Sequence, residues 1–374
     1  MDCSRFRKST SMGKSDNLHF EFENEQGVYI PGQAVRGRLH VTLSQATNVR
    51  EIRLEFDGRA YCHWSTGSSN RRTDFIGRED YCEALIPLFG RGLGMGEGNN
   101  LPEGQYVYPF SFVLPPGLPS SFEDPWRIGF IRYTLKGIIE KRGFNYSGHV
   151  LLRVMSPVDL SFLPNITTPI SNRQEKFLCC FCCKSGPITA MLQLDRIGFV
   201  LGESIPFQAE IQNMSKRACT VQMNLIMNIS YHVKRVTKIL PTLAAQVLYP
   251  GNITPGETEL WSGGQLLIPS DLPPSHLPGC QIMNIHYSLQ LVVLPAGPAT
   301  QLKVPIDILI GSIPIRFNQQ QQVEQLTLSP PPYQDPSPTQ PAPTSTSGAN
   351  LLLTQLAQLS YIEALRNEEG EVTQ

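Results

Sequence analysis

Hydrophobic and polar residues alternate along most of this chain in short runs that are separated by Pro and Gly. In one such run Val35, Leu39 and Val41 alternate with polar neighbours such as Arg38, which is the period of a half-buried β-strand. Similar runs continue to Ile310, and no amphipathic helix is predicted before that residue. The pattern predicts an all-β chain built as antiparallel β-sandwiches.

Two segments of the chain recur at one fixed spacing. Residues 113–121 resemble residues 267–275, and residues 131–139 resemble residues 285–293, each 154 positions later. Chance similarity between alternating strands would rarely keep a common spacing across separate matches. The chain is therefore predicted to contain two homologous sandwiches in tandem.

A third match lies near the front of each half, where residues 29–33 resemble residues 199–203 at a spacing of 170. The first half should therefore contain about sixteen additional residues between this match and the next. Glycine alternates with other residues at positions 90–98, which is typical of a flexible loop. We expect the additional residues to lie there.

The composition changes after Phe317. Ser, Pro, Thr and Gln dominate as far as Gly348, and such a segment cannot bury enough apolar surface to offset chain entropy. Order should return in residues 351–365, where Leu352, Leu356, Leu359 and Ile362 follow helical spacing after the candidate N-cap Asn350. We predict a mostly disordered tail with a short amphipathic helix near its end.

These observations divide the chain into five parts. They are a flexible N-terminal arm, residues 1–17; a first sandwich, 18–165; an inter-domain linker with a cysteine cluster, 166–186; a second sandwich, 187–316; and the tail, 317–374. The boundaries follow the composition changes and the ends of the repeated segments.

Composition limits the location and the partners. The net charge is −1, so no overall electrostatic field attracts nucleic acid. The N-terminus lacks the apolar region of a secretory signal, and no run of about 18 apolar residues predicts a transmembrane helix. Nine cysteines without a regular disulfide spacing favour a reducing, cytosolic location. No G-x-S-x-G, H-E-x-x-H or Walker signature occurs, so no enzyme activity, cofactor or small-molecule substrate is predicted.

A proline-rich motif lies in the tail, at Pro330, Pro331, Pro332 and Tyr333. Consecutive prolines fix φ near about −65° and favour an extended polyproline II helix. Pro-Pro-x-Tyr is the kind of ligand that WW domains bind in an aromatic-lined groove. The alternative is a proline-rich spacer, since further prolines follow closely. The position of the motif after two sandwiches favours the ligand interpretation.

Four of the nine cysteines lie together, at Cys179, Cys180, Cys182 and Cys183. A structural zinc ion would need a second pair of ligands at suitable spacing, and a thioredoxin-like redox motif would need a βαβ context; the sequence has neither. Neighbouring lysines make S-palmitoylation a candidate modification that would tether this region to a membrane. The alternative is that the four are small, half-buried side chains on a strand.

A small basic cluster consists of Lys234, Arg235 and Lys238. It lies in a strand-like run whose alternation places Lys234 and Lys238 on one face. These residues are candidates for contact with acidic lipid or with a phosphorylated cargo tail. The alternative is a solvated sheet edge, where lysine discourages aggregation.

Several segments, in their order and spacing, resemble one known family. They are residues 22–41, the segment Tyr106-x-Tyr108-Pro-Phe-x-Phe112, the strand at Tyr133, the junction from Cys179 to Gly202, and the segments around Tyr287 and Val304. The chain resembles the alpha-arrestins, the arrestin domain-containing group that includes the thioredoxin-interacting protein. The resemblance covers roughly residues 18–316 and implies two tandem arrestin-type, immunoglobulin-like β-sandwiches.

The resemblance implies an adaptor without enzymatic activity. In this family the sandwiches bind membrane cargo, usually a receptor or transporter, and a tail motif recruits a HECT-type ubiquitin ligase through its WW domains. The cargo is ubiquitinated, endocytosed and sorted to endosomes and lysosomes. Pro330, Pro331 and Tyr333 match that motif, and other arrestins are further candidate partners. The expected location is the cytoplasm, with peripheral association to the plasma membrane and endosomes.

Two departures from the family pattern leave alternatives open. Family members often have two or more Pro-Pro-x-Tyr motifs, and this chain has one, which reduces avidity for a ligase. The thioredoxin-interacting member uses a cysteine in the second sandwich, and residues 256–261 contain none here. The alternatives are an arrestin-fold endosomal coat or scaffold that acts without a ligase, and a thioredoxin-binding redox or metabolic regulator.

Overall fold

The computed structural model describes residues 17–68, 71–90, 98–142, 145–180 and 183–315. Its strands show how the alternating pattern folds. In the strand Ala34–Leu43, Val35 and Leu39 are buried, whereas Arg36 and Arg38 are exposed. One face of each such strand joins the core and the other meets solvent, so the all-β prediction is confirmed.

Within the described residues, the first domain contains ten strands in two sheets. They are β1 (Asn17–Phe22), β2 (Val28–Tyr29), β3 (Ala34–Leu43), β4 (Thr47–Thr66), β5 (Thr73–Gly90), β6 (Asn99–Leu101), β7 (Gly104–Val113), β8 (Phe122–Glu123), β9 (Gly129–Lys141) and β10 (Asn145–Val154). One sheet has the order β1-β3-β7, and the other has the order β2-β10-β9-β4-β5, with β6 paired to β4 and β8 to β9. The ring centroids of Phe56 on β4 and Phe112 on β7 lie 4.9 Å apart, so the sheets pack face to face.

The second domain repeats this arrangement. After a 3₁₀ helix, Leu160–Phe162, its strands are β11 (Ile170–Cys180), β12 (Cys183–Leu194), β13 (Gly198–Val200), β14 (Ser204–Asn213), β15 (Cys219–Val233), β16 (Val236–Ile253), β17 (Thr258–Leu267), β18 (Met283–Pro295) and β19 (Leu302–Gly311). The two sheets have the orders β11-β12-β14-β17 and β13-β19-β18-β15-β16. The rings of Tyr249 and Trp261, 5.3 Å apart, join the sheets at the β16–β17 edge.

Two buried tyrosines show the repeat at the level of single hydrogen bonds. The hydroxyl of Tyr133 donates to the carbonyl oxygen of Pro119, and the hydroxyl of Tyr287 donates to that of Pro273, both at 2.6 Å. Each member of the second pair lies 154 positions after its counterpart, which is the spacing found in the sequence. Burial raises the pKa of both tyrosines, so both remain protonated donors. The predicted tandem sandwiches are confirmed.

Tyr133→Phe or Tyr287→Phe is expected to lower the free energy of unfolding by about 1–2 kcal/mol, because each leaves a buried carbonyl oxygen without its donor. Chemical denaturation of the wild type and of each variant measures the difference. Tyr106→Phe is the matched control, since the Tyr106 hydroxyl donates to the Pro102 carbonyl oxygen at an exposed site where water can replace it. Losses no larger than that of the control would show that the two bonds have no structural role.

The additional residues of the first half lie mainly in a longer hairpin. Gly58 on β4 and Met227 on β15 occupy equivalent positions, each opposite the buried tyrosine of β9 or β18. Gly58 pairs with Cys82, 24 positions later, whereas Met227 pairs with Thr242, 15 positions later. More than half of the difference in length between the two repeats therefore lies in the β4–β5 hairpin. The expectation that residues 90–98 contain all of the additional residues is wrong.

Part of the predicted linker, residues 166–186, is instead a β-hairpin. β11 pairs with β12 from Ile170, opposite Leu194, to Cys180, opposite Cys183, and forms the edge of the four-stranded sheet. Most side chains of β11 before Leu178 are exposed, and the half-buried Asn172 and Lys176 are polar and donate to the carbonyl oxygens of Pro305 and Gln301, so β11 has no apolar face. For that reason a hydrophobic pattern does not reveal this strand.

Candidate functional site

The two domains meet where the distal half of the β4–β5 hairpin packs against β15 and β18. The ring centroids of Trp64 and Tyr231 lie 6.2 Å apart, and both side chains are buried. Gly129 permits this approach, because a β-carbon there would lie 2.6 Å from the sulfur of Met283 and 2.9 Å from Tyr231 Cε1. The first hairpin thus makes a buried contact with the second domain.

Polar contacts also hold this junction. Trp126 Nε1 donates to Thr242 Oγ1 at 3.3 Å, and the backbone N–H of Gln281 donates to the Glu79 carboxylate at 3.1 Å. All described residues belong to one compact unit. These contacts therefore join the two domains within that one compact unit.

Charged residues on the larger sheet of the first domain pair with one another. Arg53 contacts the carboxylates of Glu51, Glu55 and Glu140 at 3.1, 3.1 and 2.9 Å. Further pairs on this sheet are Arg59 with Asp57, Arg78 with Asp80, and Lys136 with Glu55. Because opposite charges neutralise one another here, this sheet offers little net charge to a partner.

The corresponding sheet of the second domain has a mostly uncharged outer face. Strand register places Asn224 beside Gln290 and Ser230 beside Asn284. The edge strand β16 adds three exposed aliphatic side chains, Ile239, Leu243 and Leu248. Amides and hydroxyls offer hydrogen bonds and the aliphatic groups offer apolar contact. This face is therefore mainly uncharged apart from Lys303 and the pair of His286 with Asp307.

The predicted basic cluster lies at the turn of the β15–β16 hairpin. Lys234 and Arg235 form a two-residue turn between the paired Val233 and Val236, and Lys234 has a φ of 57°. Lys238 follows on β16. The prediction that Lys234 and Lys238 share one strand face is wrong, because the chain reverses direction between them. Lys234 and Arg235 are exposed and can contact an anionic partner.

The predicted cysteine cluster lies at the end of the β11–β12 hairpin. Cys180 pairs with Cys183, and Cys179 precedes this pair on β11. Cys182 lies outside the described residues, as do the side chains of the other three. The backbone thus places three of the four cysteines together at one hairpin end, and their lipidation stays a prediction.

Cysteines elsewhere in the described residues are poorly suited to thiol chemistry. Cys62 and Cys219 are buried. Burial raises the pKa of the thiols of Cys62, Cys82 and Cys219 to about 11. Because the thiolate is the reactive form, these positions react slowly at neutral pH. They do not favour thioredoxin binding through disulfide exchange.

Some predicted features lie beyond the described part of the chain. The motif residues Pro330, Pro331 and Tyr333 and the helix predicted for residues 351–365 lie outside the described residues. Within the described ranges, no group of His, Cys, Asp and Glu side chains could hold a metal ion. The described residues likewise include no helix with the length and apolarity needed to cross a membrane.

Comparison with known proteins assigns both domains. Residues 18–161 match the family model of the arrestin (or S-antigen) N-terminal domain, and residues 184–315 match that of the C-terminal domain. The chain is 31% identical to arrestin domain-containing protein 4 of Homo sapiens over 313 residues, which cover 81% of this chain and 72% of the relative. The chain belongs to the arrestin domain-containing proteins, the alpha-arrestins.

Other relatives of this alpha-arrestin show similar coverage. Arrestin domain-containing protein 17 of Caenorhabditis elegans is 29% identical over 320 residues, which cover 81% of this chain and 72% of the relative. Arrestin domain-containing protein 1 of Rattus norvegicus is 31% identical over 327 residues, with coverage of 85% and 68%. The resemblance drawn from the sequence is confirmed, and it supports an arrestin-like adaptor.

Sequence reasoning missed the domain junction of this alpha-arrestin. Trp64, Tyr231 and Trp126 are scattered in sequence and belong to no motif. One local signal was available, since Gly129 interrupts a run of hydrophobic residues and a glycine within a strand often marks a close backbone approach. That signal identifies a close contact without naming the partner element.

Proposed function

We propose that this alpha-arrestin recruits a WW-domain HECT-type ubiquitin ligase to membrane receptors or transporters and promotes their ubiquitination, endocytosis and sorting to endosomes and lysosomes. The observation that supports this function most directly is the occurrence of Pro330, Pro331 and Tyr333 on the same chain as two arrestin domains. The protein acts in the cytoplasm and associates peripherally with the plasma membrane and endosomes.

The chemistry of the motif fits a WW groove. The rings of Pro330 and Pro331 can stack on aromatic side chains, and Tyr333 adds a ring and a hydroxyl at a fixed distance along the polyproline ladder. Pro332 occupies the variable position and adds stiffness. Three prolines have already restricted their backbone before binding, so less entropy is lost when the complex forms.

The arrestin body supplies the cargo side of the adaptor. The exposed turn at Lys234 and Arg235, with Lys238 on the next strand, offers positive charge near the domain junction. We assign it to contact with acidic lipid or with a phosphorylated cargo tail, because such groups form charge-assisted hydrogen bonds with lysine and arginine. The mostly uncharged face of the second domain offers no competing positive field.

Calorimetric titration of the full chain with an isolated WW domain tests ligase recruitment. The wild type is expected to bind with roughly micromolar affinity, about −8 kcal/mol. Tyr333→Ala should weaken binding at least about tenfold, since it removes an aromatic anchor. Pro338→Ala is the matched control, because it changes a tail proline outside the motif and should leave the affinity unchanged.

Cargo ubiquitination in cells separates this function from its alternative. The Tyr333→Ala variant should lose cargo ubiquitination while keeping cargo binding. Equal WW affinity of wild type and variant would refute the proposed contact. If the variant still sorts cargo without ubiquitination, an arrestin-fold coat or scaffold that acts without a ligase is the better description.

A further inference from the structure

The β11–β12 hairpin extends past the sheet to which it belongs. β12 pairs with β14 from Ile188 onward, and the N–H of Met214 donates to the carbonyl oxygen of Pro187 just beyond that ladder. The β11–β12 ladder continues to the pair Cys180–Cys183. Residues 183–185 of β12 therefore lie beyond the sheet and pair only with β11. At about 3.3 Å per residue, the two strands project by about 10 Å.

The projection lies at the end of the second domain farthest from the first domain. β15 begins at Cys219 near this end and finishes at Val233, at the domain junction. Asn213, the last residue of β14, closes the distal end by donating from Nδ2 to the carbonyl oxygens of Arg217 and Ile253. The hairpin therefore points away from the contact between the domains.

The surroundings of the projection combine apolar and basic groups. Phe177 is 61% exposed on β11, and Met214 is 45% exposed in the neighbouring loop. Lys216 is exposed in the same loop, and Lys176 donates from Nζ to the carbonyl oxygen of Gln301. Exposed apolar side chains beside lysines suit a membrane surface that contains acidic lipid.

We propose that Cys179, Cys180 and Cys183 are S-acylated with long-chain fatty acyl groups. The backbone places these three residues at the end of a projecting hairpin with apolar and basic residues around its base, and a membrane-bound acyltransferase modifies cysteines that lie close to a membrane surface. Two or more chains give stable anchoring, whereas one chain gives only reversible binding. The inference does not depend on ligase recruitment.

The reaction is a group transfer without oxidation. The cysteine sulfur attacks the carbonyl carbon of a long-chain acyl-coenzyme A, and a new carbon–sulfur bond forms. The bond between that carbon and the sulfur of coenzyme A breaks, and the cysteine proton is transferred so that coenzyme A leaves as its thiol. The product is a thioester, which hydroxylamine cleaves.

Metabolic labelling of cells that express the full chain tests the modification. An alkyne analogue of palmitate should label the wild type, and hydroxylamine should remove the label. The triple variant Cys179→Ser, Cys180→Ser, Cys183→Ser should show at least about threefold less label than the wild type. Its membrane-bound fraction should fall by a similar factor. Cys82→Ser, a half-buried thiol in the first domain, is the control and should keep both. Unchanged label in the triple variant would overturn the proposal.

Peptide mapping keeps the test independent of variant folding. Trypsin cleaves after Lys176 and Lys184 and releases one peptide, residues 177–184, that contains the cluster. After free thiols are blocked, hydroxylamine-dependent exchange of acyl groups for a biotin tag should mark this peptide from the wild type at Cys179, Cys180 or Cys183. A tag on none of these positions, including a tag on Cys182 alone, would refute the assignment.

Discussion

Gly37→Ala is expected to lower the free energy of unfolding by about 3 kcal/mol, the upper range for forcing a group into a filled core. Gly37 lies on β3 between β1 and β7. A β-carbon there would overlap the carbonyl oxygen of Glu21 and would lie 2.8 Å from Phe110 Cζ. A side chain can rotate away, but the Glu21 carbonyl belongs to the backbone of the paired strand. The β1–β3 ladder must therefore shift or separate.

Chemical denaturation of the purified protein, followed by tryptophan fluorescence, measures this loss. Gly148→Ala is the matched control, because Gly148 is also a strand glycine and its β-carbon would make an ordinary contact, 3.4 Å from Leu18 Cβ. Its free energy of unfolding should change by less than about 0.5 kcal/mol. Equal stability of the two variants would show that β1 moves freely relative to β3.

The strand faces of the described domains were predictable because they are encoded locally. Burial on β3 alternates with the residue type, so Val35 and Arg36 can be assigned to opposite faces without knowing the fold. The repeat was equally accessible, since Tyr133 and Tyr287 occupy positions that the spacing of 154 relates directly. Both signals depend on residue type and on separation along the chain.

Features that depend on strand pairing were not predictable. The length of the first hairpin follows from the register of Gly58 with Cys82, and uniformly alternating strands can pair over many lengths. The turn at Lys234 and Arg235 contains neither glycine nor asparagine, the residues that favour a positive φ. There the long β15–β16 ladder imposes the turn, and tertiary pairing prevails over local preference.

The domain junction was only partly predictable from the sequence. Trp64 lies near the end of β4 in the first domain, and Tyr231 lies on a strand of the other domain. Each residue alternates correctly within its own strand, so each is predicted to be buried. Which side chain it meets depends on how the two domains pack, and this information is not local.

Tyr231→Ala is expected to lower the free energy of unfolding by about 4 kcal/mol and to uncouple the two domains. The ring is fully buried, packs against Gly129 and faces Trp64, so its removal leaves a cavity at the junction. Differential scanning calorimetry of the wild type should show one transition, and that of the variant should show two, because each domain keeps its own core.

Trp126→Ala is the control: its ring also reaches the second domain, at Thr242, but is 59% exposed. Its loss should cost less than about 1 kcal/mol and preserve the single transition. Equal effects of the two substitutions would mean that burial at Tyr231 does not couple the domains.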